Sequence, residues 1–240
     1  MSQERTEGVV LRGVDFSETS RIVTFLSPDR GRLTCLAKGA KRPKSPLRAV
    51  LDTFNRVEMV YYWKDSRQVQ QLGDVTLLDG YSGVKADLAK TTFASFPLEM
   101  ALKIAHENEP SQALYATLVR GLANLDAWRG DARTHGCWQA VQILSAAGFE
   151  VAVDRCAQCG AAVAGPGGFA YHGGAVCARC RSDVTLPRAQ WDALCAMVRA
   201  RERCPETAAE AALFDLVWRY ASAQLETDFR SVRVIREMFG

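Results

Sequence analysis

Four of the eight cysteines in this 240-residue chain fall into two close pairs, Cys156-Ala-Gln-Cys159 and Cys177-Ala-Arg-Cys180, with seventeen residues between them. Two residues between thiols let one tight turn aim both sulfurs at a single ion. Two such knuckles at this separation match a four-thiolate zinc site. The Gly-rich spacer from Gly160 to Gly174 lets the chain return to complete a tetrahedron, and Gly160, directly after Cys159, can take the positive φ a knuckle often needs. Four thiolates leave no open coordination position, so the expected role of Zn²⁺ is structural. Disulfides or a redox pair are the competing reading. The opening Met1-Ser2-Gln3-Glu4-Arg5 has no apolar signal segment, which points to a reducing cytoplasm where structural disulfides are rare. His172, between the knuckles, is an alternative ligand; with four thiols available it is expected to be an exposed loop residue. The other cysteines, Cys35, Cys137, Cys195 and Cys204, have no paired spacing and read as buried or half-buried free thiols.

A second chemistry resides in charge. From Arg30 to Arg48 the chain carries seven basic residues and no acidic one, whereas the remaining residues to position 80 carry six basic and ten acidic ones. Lys38-Gly39-Ala40-Lys41-Arg42-Pro43-Lys44-Ser45 joins flexible Gly and rigid Pro to four cations. Such a loop can follow a phosphate backbone and release its counterions. Lys38, Lys41, Arg42 and Lys44 are the candidate contacts, with Arg32 and Arg48 as weaker ones. A solvated basic loop that binds nothing is the alternative. Tyr61-Tyr62-Trp63 is the densest aromatic run. Stacking on bases needs an exposed ring, and strand alternation sends Tyr62 opposite to Tyr61 and Trp63, so core packing is the preferred reading for each. Arg155, Arg179 and Arg181 flank the knuckles and either offset a Zn(Cys)₄ centre of net −2 or touch nucleic acid.

Several chemistries are excluded by absence. There is no G-x-x-x-x-G-K-[ST] phosphate loop, no H-E-x-x-H and no zinc-deaminase signature. No acidic cluster suits a two-metal nuclease. His106 and His135 are isolated and read as surface or hydrogen-bonded histidines. A binding or assembly protein is expected rather than an enzyme. The formal net charge of +3 falls to about +1 with four thiolates around one Zn²⁺, so the distribution of charge matters more than its sum. No apolar run approaches the length of a membrane span.

The elements that must position these groups follow from patterning. Residues 8 to about 80 read as five strands: one opening at Val9-Val10-Leu11, then Arg21–Leu26, Arg32–Ala37, Phe54–Trp63 and Val69–Leu78, with Pro28 and Gly31 marking a turn. Five short strands in this span suggest a small closed barrel of the OB type, assigned to residues 1–80. Residues 81–240 read as a helical domain with the zinc-ribbon-like module, 150–185, inserted in it. One helical stretch follows Leu88, with Pro97 at a start or kink. Another runs from Ala113 to Trp128 with Leu114, Leu118, Leu122 and Leu125 on one face. A third spans Cys137–Ala147, ended by Gly148. Pro187 suits the first position of a helix whose face is Trp191, Leu194, Cys195 and Val198; Arg199, Arg201 and Arg203 crowd its end, where they favour the macrodipole or extend a basic surface. A last long helix is expected to open at Pro205-Glu206-Thr207, and residues 227–240 read as a short solvated tail with Arg230, Arg233 and Arg236. The class is therefore α+β.

This order of parts resembles the bacterial RecO family of recombination mediators over nearly the whole chain. Gly8-Val9-Val10-Leu11, Ser17-Glu18-Thr19-Ser20, the Ala37-to-Ser45 loop and the paired knuckles carry the resemblance; Phe16 and Glu18 stand where the family usually has an aromatic and an acidic residue. The resemblance implies a non-enzymatic, cytoplasmic, nucleoid-associated protein that binds single- and double-stranded DNA through the OB-fold. It implies annealing of complementary strands coated by single-strand-binding protein, contact with the acidic C-terminal tail of that protein, and action with RecR to load the RecA recombinase in DNA repair. No cofactor other than zinc and no membrane is expected. Two other readings stay open: an RNA-binding or translation-associated OB protein, and an enzyme whose zinc opens a site by ligand exchange.

Overall fold

A computed structural model describes residues 2–240. In chain order the elements are β1 (Ser2–Asp15), β2 (Arg21–Ser27), β3 (Gly31–Ala37), α1 (Leu47–Val50), β4 (Arg56–Trp63), β5 (Gln70–Asp79), α2 (Ser82–Lys85), α3 (Leu88–Ile104), α4 (Gln112–Ala127), α5 (Ala132–Ala146), β6 (Gly168–Ala170), β7 (Gly174–Val176), β8 (Val184–Thr185), α6 (Arg188–Arg199), α7 (Ala211–Leu225) and α8 (Arg230–Phe239). They form two compact units, 1–82 with 101–123 and 83–100 with 124–240.

The first unit is built on a closed barrel in the order β1-β2-β3-β5-β4, the five-stranded OB arrangement. One long strand makes closure possible. β1 pairs with β4 from Ser2 to Val9 and with β2 from Val9 to Asp15, with a register shift between Val10 and Arg12. Such a bulge bends a strand so that it can serve two neighbours. The last seam is the short parallel pairing of β3 with β5 at Cys35–Gln70 and Leu36–Gln71. Alternation sets the interior: Leu33, Cys35 and Ala37 from β3 and Val57, Met59 and Tyr61 from β4 are buried, joined by Val10, Val23, Phe25 and Leu51. Each of the buried Val, Leu, Phe and Met side chains contributes on the order of 1.5–3 kcal/mol by leaving water. The fourth strand begins at Arg56 rather than at Phe54, because Phe54 adopts φ 73°, a conformation that cannot continue a strand. Asn55 holds the preceding turn by donating to the carbonyls of Ala49 (2.8 Å) and Val50 (2.9 Å). Tyr115 of α4 belongs to this unit. Its hydroxyl donates to Glu7 (2.8 Å), which also pairs with Arg56 at 2.6 Å. Burial opposes ionisation of Glu7, but the hydrogen bonds from Arg56 and Tyr115 prevail and hold it below the usual carboxylate range.

The second unit is helical. α5 is buried along almost its whole length and packs against α6 and α7. Two of its buried polar side chains reach carbonyls of the α6 region: Trp138 Nε1 donates to Ala200 (2.6 Å) and Gln142 Nε2 to Met197 (2.8 Å). α5 starts at Ala132, five residues before the expected Cys137, because Asp131 caps it by accepting from the Arg133 N–H at 3.2 Å. Gly148 follows its end at φ +88°, the left-handed cap expected of it. Pro97 lies inside α3, and Pro187 is the N-cap residue of α6 rather than its first helical residue.

Two expectations are corrected here. The last long helix does not open at Pro205: residues 205–210 are non-helical, and α7 begins at Ala211. The Thr207 N–H closes a turn on Pro205 (2.9 Å), and the Ala209 N–H is drawn to Thr134 Oγ1 at 3.0 Å, so this backbone is committed elsewhere. Residues 227–240 are not a solvated tail, because α8 runs from Arg230 to Phe239 with Ser231, Val232 and Ile235 buried. Its cap comes from α3. Glu99 accepts from the N–H groups of Arg230 (3.1 Å) and Ser231 (2.8 Å), and a carboxylate at a helix N-terminus is favourable. Phe229 packs edge-on against Phe96 with ring centroids 5.1 Å apart. No helix among the described residues is long and apolar enough to cross a membrane.

Candidate metal centre and nucleic-acid interface

The knuckles project from a small three-stranded sheet of order β7-β6-β8. The Cys156 N–H donates to Ala161 (2.7 Å) and the Gly160 N–H to Cys156 (2.9 Å), which folds the first knuckle back on itself. Gly160 has φ +73°, as its place after Cys159 suggests. The second knuckle is closed by the Cys180 N–H on Cys177 at 3.0 Å. Gly174 fixes the approach of the two halves. A Cβ there would lie 2.4 Å from the Ala152 carbonyl oxygen, so only glycine fits.

The four sulfurs of Cys156, Cys159, Cys177 and Cys180 lie within 4.8 Å of one another. Cys159 Sγ and Cys177 Sγ are 3.7 Å apart. A tetrahedral ion with bonds of about 2.3 Å requires sulfur separations of about 3.8 Å, so the cluster can hold a metal ion. Electrostatics agrees. Backbone N–H groups, that of Cys177 foremost, lower the Cys156 thiol to about 6, while hydrogen bonding with neighbouring thiols, Cys159 foremost, pushes Cys180 up to about 12. Thiolates this close cannot all carry charge without a cation among them. His172 is exposed and outside the cluster, and every cysteine among the described residues is a free thiol. Cys35, Cys137, Cys195 and Cys204 are buried, as their unpaired spacing predicts. Arg155, Arg179 and Arg181 are exposed around the knuckles.

The basic segment lies on the barrel between β3 and β4. It leaves β3 through Gly39 at φ +75°, and Ala40 is buried in the barrel core. Hydrogen bonds from the Arg42 N–H to Gly39 (3.1 Å) and the Ser45 N–H to Arg42 (2.9 Å) make successive turns. The anchored small residue leaves the long ones outside: Lys38, Arg42, Lys44 and Arg48 are exposed and have no ion pair among the described residues. The other cations of the run have partners. Lys41 Nζ pairs with Asp15 (3.1 Å) and donates to the Ser17 carbonyl (3.1 Å). Arg32 pairs with Glu107 at 3.5 Å. Arg30 pairs with Glu4 at 2.6 Å, its guanidinium 4.3 Å from the centre of the Trp63 ring.

The aromatic run mainly serves the barrel. Tyr61 is buried and donates to Glu4 at 2.8 Å. Trp63 meets it edge-on at 6.3 Å and donates from Nε1 to Asp65 at 2.6 Å. Among the described residues the exposed ring of the barrel is Phe16, in the turn between β1 and β2; its residue type is visible in the sequence, its exposure is not. Near the end of α6, Arg199 is paired with Asp154 at 2.7 Å and Arg201 with Glu150, so neither is a free surface cation. His135, expected at the surface or hydrogen-bonded, is instead buried between Trp128 and Trp138, with no partner for either ring nitrogen among the described residues.

Comparison with known proteins agrees with this layout. Residues 1–81 match the family model described as Recombination protein O N terminal, and residues 85–231 match Recombination protein O C terminal. A DNA repair protein RecO of Anaeromyxobacter dehalogenans is 33% identical over 208 residues, covering 84% of this chain and 80% of that one. The DNA repair protein RecO of Streptomyces griseus is 31% identical over 252 residues, covering 99% of this chain and all of that one. An OB barrel, a helical second unit, a cluster of four thiols and both family models in register with them lead to one conclusion: the chain belongs to the recombination protein O (RecO) family.

Proposed function

We propose that this chain is a non-enzymatic DNA-binding mediator of recombinational repair that anneals complementary strands and, with RecR, assists loading of RecA. The observation that carries the reading is the set of four exposed, unpaired cations on the β3–β4 connection of an OB barrel, Lys38, Arg42 and Lys44 in its loop and Arg48 in α1. Cations spaced along a loop track a phosphate backbone without reading sequence. Two strands held on such a surface repel each other less, which lowers the barrier to pairing. Lys41 and Arg32, each already facing a carboxylate, contribute less direct charge, Lys41 from the loop and Arg32 from β3. Relatives named DNA repair protein RecO support the same assignment.

The metal in this reading is zinc, held by Cys156, Cys159, Cys177 and Cys180 with no open position. Bound, it supplies cross-links to a small module in which Cys156, Ala170 and Val176 form a cluster packed around the knuckles. It takes part in no chemistry on DNA. The acidic tail of single-strand-binding protein has a fitting receptor in a cavity of about 570 Å³ beside α8. Trp218, Phe229 and Val232 give it an apolar wall and Arg233 and Arg236 cations, with Asp228 and Glu237 also lining it. The protein acts in the cytoplasm at the nucleoid.

The test is annealing of complementary DNA strands pre-coated with single-strand-binding protein. The wild-type chain should accelerate pairing, and replacement of Lys38, Arg42, Lys44 and Arg48 by Ala should abolish the acceleration. Equal acceleration by the variant, or tighter binding to single-stranded RNA than to DNA in competition, would overturn the assignment.

A further inference from the structure

The turn joining β1 to β2 carries Phe16, which keeps 62% of its surface in water and is the most exposed aromatic ring among the described residues. Isolated exposed rings are ordinary; the mounting of this one is not. The Phe16 and Ser17 N–H groups both donate to the Ser20 carbonyl, at 3.1 and 3.4 Å. The turn is then fastened to the basic loop by a single residue. Lys41 donates from its backbone N–H to Thr19 (3.0 Å), and its ammonium reaches the Ser17 carbonyl and the Asp15 carboxylate, each at 3.1 Å. Arg21 also meets Asp15 at 3.5 Å. An apolar ring is thus held out to solvent on a fixed turn, hydrogen-bonded to the loop that carries Lys38, Arg42 and Lys44. The turn itself offers no cation: its charged residues are Asp15, already paired, and Glu18. An ionic contact with a polyanion therefore does not come from the turn, and its distinctive group is the ring.

We propose that Phe16 is a base-stacking platform that takes one unpaired nucleobase and gives the barrel a preference for single strands over duplex. The proposal rests on the DNA-binding reading above and names the specificity residue of that site. The physical reason is access. Phosphates are offered by single and double strands alike, so the cations of the loop do not separate the two. A base face is free only when its neighbour is unstacked, and a ring beside a phosphate-tracking loop reads that difference. Pairing withdraws the base into the new duplex, so the stacking contact is lost as annealing completes and the product is released.

Binding of the full chain to a single-stranded oligonucleotide and to the corresponding duplex, followed by fluorescence anisotropy across a salt series, tests this. Stacking of one base corresponds to about 5- to 150-fold in affinity. Phe16→Ala should lose that factor on the single strand while duplex affinity and the salt slope stay as in the wild type. Phe16→Trp should retain single-strand affinity. An oligonucleotide with abasic sites should bind the wild type and Phe16→Ala equally, a result that a merely structural role for the ring does not produce. Unchanged single-strand affinity of a folded Phe16→Ala variant, or an equal loss on both DNAs, overturns the proposal. If Phe16→Ala binds normally while the fourfold Lys38, Arg42, Lys44 and Arg48 variant does not, the platform is refuted and the DNA-binding reading stands. Failure of the wild type to bind either DNA removes both.

Discussion

The structure divides the seven basic residues between Arg30 and Arg48 into two groups, and the division is measurable as a salt slope. Arg30, Arg32 and Lys41 face Glu4, Glu107 and Asp15. Lys38, Arg42, Lys44 and Arg48 face solvent. Each phosphate neutralised on a single strand adds about 0.7 to the slope of log K against log salt. Four free cations therefore contribute about 2.8, whereas all seven acting alike would contribute about 4.9. Between about 50 and about 200 mM salt a slope of 2.8 corresponds to roughly 50-fold in affinity. The fourfold alanine variant should show a salt slope lower by this amount, read by titrating a labelled single-stranded oligonucleotide at several salt concentrations. A threefold variant at Arg30, Arg32 and Lys41 should change the slope by well under the 2 or so that three free cations would give, although it loosens the barrel. If the fourfold variant keeps the wild-type slope, or the threefold variant loses as much, the sorting of these residues by their partners has no bearing on binding.

Two further outcomes follow from buried chemistry. Cys156→Ser should abolish stoichiometric zinc, measured by elemental analysis, and speed amide exchange across residues 150–185 while exchange in the barrel strands stays slow. Structural sites of this type carry on the order of 10–16 kcal/mol in isolated fingers, so retained metal or a barrel that opens in step contradicts a local bracing role. His135 is held neutral: burial, with a smaller effect of Lys90, lowers it from 6.5 to about 3. Its folded pKa lies below its unfolded one, so its cost vanishes well above pH 6.5 and grows progressively as pH falls through 6.5 towards 3. At pH 5.5, one unit below the unfolded value, the loss is on the order of 1 kcal/mol. Denaturant curves at pH 7.5 and 5.5 should show that loss in the wild type and its absence in His135→Leu; equal losses in both count against it.

The sequence by itself determined the features that depend on local spacing. Cys-x-x-Cys aims two sulfurs at one point whatever surrounds it, so the thiol cluster was legible. Alternation along Arg32–Ala37 and Val57–Trp63 determined the buried face of each strand, and five such segments implied the barrel. Leu114, Leu118, Leu122 and Leu125, one helical face by period, are all buried. The tertiary structure decided what depends on partners distant in sequence. α8 is capped by Glu99, 131 residues from Arg230 in the chain, a partner that no local reading shows; the three-residue spacing of Arg230, Arg233 and Arg236 around Val232 and Ile235 is itself a helical signal, and the fold supplies the surface against which that face is buried. Residues 101–123 group with the barrel unit although their own pattern is helical. His135 looks isolated in the chain but lies between two tryptophans. The same holds for the candidate interface. A run of cations is visible as composition, but only the fold places carboxylates against three of them and leaves four in water. Charge is a property of residues, whereas availability depends on what the chain brings alongside.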